Sequence, residues 1–198
     1  MMATIIKEFT AQEKINLALF EDELNLIQNE NIRAFTEDML CKIPSYFYIV
    51  PAAAKRTHHP ETSHGEGGLV KHTISAVNIA YDLVNRNNTF ASCKQYSDHI
   101  VSALILHDGC KSGKHTQGKY AVDHPLLICE LIRESYSDKN AELICSLISS
   151  HMGQWNTNFG SKIEVLPKPQ NALQSVVHLA DYLASRRYLD FNFSKKLG

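Results

Sequence analysis

With 198 residues, 44% of them apolar and 21% charged, the chain can bury a full hydrophobic core, and it lies far from the low-hydrophobicity composition of disorder. A formal net charge of -1 supplies no global positive field toward nucleic acid or an anionic surface, so any phosphate recognition must be local. Apolar stretches such as 141–149 fall short of the roughly 20 residues that span a bilayer, and Lys7 and Glu8 interrupt the N-terminal apolar run, unlike a secretory signal. A cytoplasmic protein with no membrane partner is the expectation.

The elements read as helices from end to end. Thr10 followed by Glu13 forms a capping-box pattern opening a helix through about Gln28, with Ile15, Leu19, Phe20, Leu24 and Ile27 at apolar spacing. A second helix is predicted over 31–42, stopped by Pro44. Residues 46–68 lose periodicity and contain a polar, histidine-rich loop with His58, His59 and His64. Helices are then predicted over 69–87, 97–107, 124–136, 139–150 (capped by Ser137) and 171–189. The loop between 110 and 123 carries Lys111, Lys114 and Lys119. The expected organisation is an N-terminal helical extension, 1–45, packed on a helical domain, 46–198.

Five cysteines without CxxC spacing read as reduced core residues, with Cys110 placed closest to the chemistry. That chemistry is suggested by carboxylates in apolar surroundings. His107 and Asp108 follow the run Val101 to Leu106, and Asp181 interrupts Val176 to Ala184. A carboxylate in such a run must be paired, hydrogen-bonded or metal-bound, because an isolated buried charge is strongly disfavoured. Imidazole nitrogen and carboxylate oxygen are the ligands of divalent first-row metals.

His72 in the context Gly67-Gly68-Leu69-Val70-Lys71-His72-Thr73, the doublet His107-Asp108 after an apolar helix, and Asp181 in the last helix together resemble the HD-domain phosphohydrolases over about 46–189. The resemblance implies an all-α HD-domain helical bundle with its metal site in the core, and a divalent ion (Mn, Fe, Mg, Zn or Ni) held by His72, His107, Asp108 and Asp181. His124 and His151 are similar to the further histidines of members that bind two metals, with Asp108 bridging. One departure is the segment after the doublet: the family's glycine-lysine is here Gly109-Cys110-Lys111.

The resemblance further implies hydrolysis of a phosphoester by metal-activated water, through Asp108 with His58, His59 or Lys111 assisting. Substrate contacts are expected from His64, Lys111, Lys114, Trp155 and Arg186, with Trp155 able to stack on a base. His99, His115 and His178 read as packing residues, His178 within one turn of Asp181. The segments Ser150 to Gly153 and Leu179 to Arg186 look most similar to small HD proteins related to the HD exoribonucleases and to phage-encoded members. They point to a phosphorylated small molecule of the nucleotide class, or a short nucleic acid, as substrate. The near-zero charge favours the smaller one. An HD-fold di-iron oxygenase and a metal-retaining regulatory module are the alternative readings, and the N-terminal helices serve equally to cap the core or to form a homo-oligomer.

Overall fold

The computed structural model describes residues 9–53, 57–86, 88–115, 120–158 and 160–189. Lys119 lies outside them. The described residues form eight α-helices joined by irregular segments and short 3-10 turns, with one isolated bridge between Thr157 and Glu164 in place of any strand. None of these helices is long and apolar enough to cross a membrane.

Helix α1 (Ala11–Ala18) begins as the capping pattern requires: the Glu13 amide donates to Thr10 Oγ1 at 3.3 Å and the Thr10 amide to Glu13 Oε2 at 2.7 Å. Thr10→Ala is expected to cost about 1 kcal/mol, lowering the melting temperature by about 2–4 °C in a scanning calorimeter. The predicted single helix to Gln28 does not persist. It breaks at Phe20 (φ -119°), and α2 (Glu21–Asn25) starts afresh. The reason is burial: α1 has no buried residue, whereas Phe20, Leu24 and Ile27 all enter the core, Phe20 stacking on Phe47 with ring centroids 6.1 Å apart. A straight helix could not leave one half in water and turn the other half inward. The Asp98 carboxylate then accepts the Gln28 and Asn29 amides, tying this turn to the start of α5.

Helix α3 (Glu30–Lys42), capped by Asn29, packs on α5 (Ser97–Leu106), and a buried 2.7 Å hydrogen bond joins Thr36 Oγ1 to Ser102 Oγ. Every residue of α5 from Ile100 to Leu106 is buried, because α3, α4, α7 and α8 surround it. Helix α4 (Gly68–Tyr81) runs on into a π-helical turn, Asp82–Arg86, and packs closely against α8 (Ala172–Ala184). Helices α6 (His124–Arg133) and α7 (Lys139–Ser149) pack against each other, and α7 against α5.

Three predicted limits shift, the first being the end of α6 at Arg133 rather than 136. The cap of α7 is Asp138, not Ser137, its carboxylate accepting the Asn140 and Ala141 amides. Helix α8 stops at Ala184, where the Ser185 hydroxyl donates to the Tyr182 carbonyl, and among the described residues a 3-10 turn (Arg187–Leu189) follows. Residues from α2 and α3 share one hydrophobic core with those of α4 to α8. The cysteines are free thiols, four of them buried.

Candidate metal centre

Each ligand candidate is delivered by a helix boundary or a helix-helix contact. Helix α5 stays apolar to its end and then places His107 and Asp108 in the interior, 0% and 2% exposed. His72 lies in the second turn of α4, and the packing of α4 on α8 brings its Nε2 to 2.9 Å from Asp181 Oδ1. His124 opens α6, and His151 follows the end of α7.

The two oxygens of Asp108 face different partners. Oδ2 lies 3.5 Å from His107 Nε2 and 3.8 Å from His72 Nε2, whereas Oδ1 lies 3.0 Å from His124 Nε2 and 4.0 Å from His151 Nε2. The result is two buried groups sharing one carboxylate, His72-His107-Asp108 and Asp108-His124-His151, with the ligand atoms of each within 4.8 Å of one another. Asp181 Oδ1, 3.4 Å from His107 Nε2, adds a second carboxylate to the first group.

The imidazoles are aimed by their other nitrogen. Nδ1 of His107 lies 2.6 Å from the Leu104 carbonyl, Nδ1 of His124 2.7 Å from that of Ala121, and Nδ1 of His151 2.8 Å from that of Ile148. A carbonyl only accepts, so Nδ1 carries the proton and Nε2 presents its lone pair to the centre, the tautomer that metal ligation requires. The buried Nε2 atoms of His107 and His124 have no hydrogen-bond partner, despite the nearby carboxylates. Buried nitrogens left so are costly, and a cation between them and the carboxylates would satisfy both. The residues therefore fit a pair of divalent ions in nitrogen and oxygen ligation. His72 is aimed differently, through its contact with Asp181, a contact that a shared cation would replace.

Burial by itself would raise the Asp108 carboxyl, but Lys111, His107 and His124 outweigh it and hold it well below the usual carboxylate range. Asp181 is held down likewise, by His107 and His72 against burial. Burial, with His107 adding to it, pushes His151 down to about 3, so this ring is neutral at physiological pH. Outside the ligands, His178 Nδ1 donates to the His151 carbonyl at 2.7 Å and steadies the turn after α7. That turn needs Gly153: its φ is +56°, and a Cβ there would lie 2.2 Å from the His178 ring.

The centre forms the floor of a cavity of about 410 Å³. Lys111 reaches it, its Nζ 2.5 Å from Asp108 Oδ2. Arg186 also lines it, its guanidinium 4.5 Å over the Tyr182 ring, and Trp155 stacks on Tyr182 with centroids 5.6 Å apart and planes inclined by 14°. His59 lines it too. Burial, then the neighbouring His72 and Lys111, push His59 down to about 3, so it is a neutral ring there and not a cation.

Three expected site residues are not brought to this cavity. His58 is exposed, and its part is played by its carbonyl, which accepts the Arg187 amide. His64 turns to the carbonyl of His59 at 2.9 Å and borders a separate surface recess with Arg187. Lys114 pairs with Glu134 at 2.6 Å and sits near Glu130, both on the α6 side, which explains its absence from the site. Cys110 is fully buried beside it, its thiol pushed up to about 12 by burial, and it lines nothing.

Sequence reasoning missed Tyr120, Tyr182 and Ser185 as cavity residues. Tyr182 carries a signal, since a tyrosine next to a partly buried aspartate on the same helix lies at the same level of the bundle. Tyr120 carries none: it reaches His124, 5.5 Å between rings, only because the loop returns to the start of α6.

The described residues thus form an all-α domain whose buried histidine and aspartate groups could hold metal. The family model of the HD domain matches residues 69–186, and the chain belongs to the HD domain family, a superfamily of metal-dependent phosphohydrolases. No curated protein and no solved structure gives a significant match to it.

Proposed function

We propose that the chain hydrolyses a phosphoester of a nucleotide or short nucleic acid. The observation that carries this reading is Asp108, one buried carboxylate whose two oxygens face two histidine groups at the floor of a cavity bordered by Lys111 and Arg186. His72, His107, Asp108 and Asp181 would hold one divalent ion, and His124, His151 and Asp108 the other. Bound there, such ions supply a water of lowered pKa and withdraw charge from phosphoryl oxygen.

The chain's own groups do the rest. Lys111 and Arg186 offer the phosphate its positive charge inside the cavity, where contacts sheltered from solvent are strongest. His59, being neutral, contributes a hydrogen-bonding ring and not charge. Tyr182 and Trp155 provide the apolar planes against which a base can rest, as stacking does in nucleotide sites.

Metal analysis by mass spectrometry, run beside hydrolysis of bis-p-nitrophenyl phosphate, tests the reading. One to two equivalents of metal per chain are expected, with turnover lost on chelation and regained with manganese. Bound iron with oxygen consumption and no p-nitrophenol release would move the assignment to a di-iron oxygenase. A folded protein that takes up no divalent ion would end both.

A further inference from the structure

A second cavity, of about 400 Å³, adjoins the first, and the two share Tyr120, Met152 and Trp155 as a common wall. The outer cavity is of nearly the same size, but its chemistry differs. The inner one contains Asp108, Asp181, Lys111 and Arg186, whereas among the described residues no charged side chain lines the outer one. Its polar groups are the amides of Gln154 and Asn158 and the hydroxyls of Thr157 and Ser161. The Gln154 and Asn158 side chains are spent on no described partner: these two residues are exposed, and only their backbones, where bonded, serve the loop. Amides that both donate and accept, in one cavity with a tryptophan and a tyrosine, match the edges and planes of an uncharged nucleobase. They do not match a phosphate, which would call for cations or converging backbone amides.

We infer that the substrate is a nucleotide phosphodiester, with the scissile phosphate in the inner cavity and a second nucleoside in the outer one. This rests on the phosphohydrolase reading above and narrows it from phosphoesters at large to diesters. A monoester has one organic arm and would leave the outer cavity to water. With a diester, both cavities fill, and the tyrosine-methionine-tryptophan wall lies between the two arms. In the reaction, water oxygen bonds to phosphorus, the P–O bond to one arm breaks, and the departing oxygen takes a proton from that water. The products are a phosphomonoester and an alcohol.

Trp155 is the only tryptophan in the chain and stands in the shared wall, so its fluorescence reports binding directly. The full chain with its metal bound would be mixed rapidly with the dinucleotide ApA, with AMP and with adenosine, and the emission read before turnover. ApA is expected to shift the emission and bind at least about 10-fold more tightly than AMP, corresponding to one further base contact of about 1–3 kcal/mol. In the double variant Gln154→Ala, Asn158→Ala, the ApA advantage should fall below about 3-fold. Equal affinities for ApA and AMP in the wild type, or no response to either, would overturn the inference, as would an advantage that the double variant retains in full. A separate assay of p-nitrophenol release distinguishes this failure from failure of the hydrolase reading: a chain that hydrolyses bis-p-nitrophenyl phosphate yet treats ApA and AMP alike is a phosphohydrolase without the second subsite.

Discussion

Asp108→Ala is expected to abolish the proposed hydrolysis and to empty both candidate metal positions at once, an effect no other single substitution in the centre should reproduce. Its carboxylate is common to both histidine groups, with Oδ2 toward His72 and His107 and Oδ1 toward His124 and His151. Removing it takes the carboxylate from the second position and one of two from the first, where Asp181 remains, and leaves Lys111 beside four imidazoles without the charge it answers. Loss of about 4 kcal/mol of transition-state stabilisation, a factor of about 10³ in kcat/KM, is the expected minimum. Metal content should drop from one to two equivalents to near zero. His124→Ala is the control: it touches only the second group, so a protein that binds two ions should keep one. A variant series in which Asp108→Ala retains full metal while His124→Ala loses all of it would contradict a bridging role.

The second large effect comes from a residue with no chemistry. Gly68 is the first residue of α4, and a Cβ built there would lie 2.2 Å from the Ser63 carbonyl oxygen and 3.0 Å from the Pro51 Cα. These are backbone atoms, unable to swing aside. The approach is held by hydrogen bonds from the Ala52 amide to the Ser63 carbonyl and from the Leu69 amide to the Val50 carbonyl. Gly68→Ala must therefore push α4 away from the loop that carries His59, costing about 3 kcal/mol, or about 6–12 °C of melting temperature. Because α4 carries His72, metal affinity should weaken in the same variant. Calorimetry and metal titration of Gly68→Ala check both, and a melting temperature within 2 °C of wild type would show that the loop yields.

The candidate metal ligands, which the fold brings together, were legible because each sits where an apolar pattern meets a polar group it cannot tolerate. Asp108 follows a helix that is buried from Ile100 to its end, Asp181 interrupts an apolar one, and His124 and His151 stand at boundaries that proline and the end of periodicity mark. The helices themselves followed from spacing. What spacing could not reveal depends on distant partners. The break at Phe20 exists because Phe47, a residue in another segment, receives its ring. Lys114 had the same apparent claim on phosphate as Lys111, and only the fold shows that one meets Glu134 while the other meets Asp108. His64, from the same cluster as His59, spends its ring on a carbonyl of its own loop. Trp155 was visible as an aromatic candidate, but its stacking on Tyr182 depends on how the segment after α7 returns to α8.

The contacts of His107, His124 and His151 with the carbonyls of Leu104, Ala121 and Ile148 repeat one arrangement, each ring bonding the backbone three residues earlier. Two of these carbonyls lie in the last turns of α5 and α7, where helices run out of amide partners and leave acceptors open. The orientation of a ligand ring is thus encoded within four consecutive residues, independent of which other helix arrives to complete the centre. Such a unit is portable. A histidine grafted just past the end of a buried helix inherits its tautomer and heading from the host backbone, and a designer needs only to choose where several such ends converge.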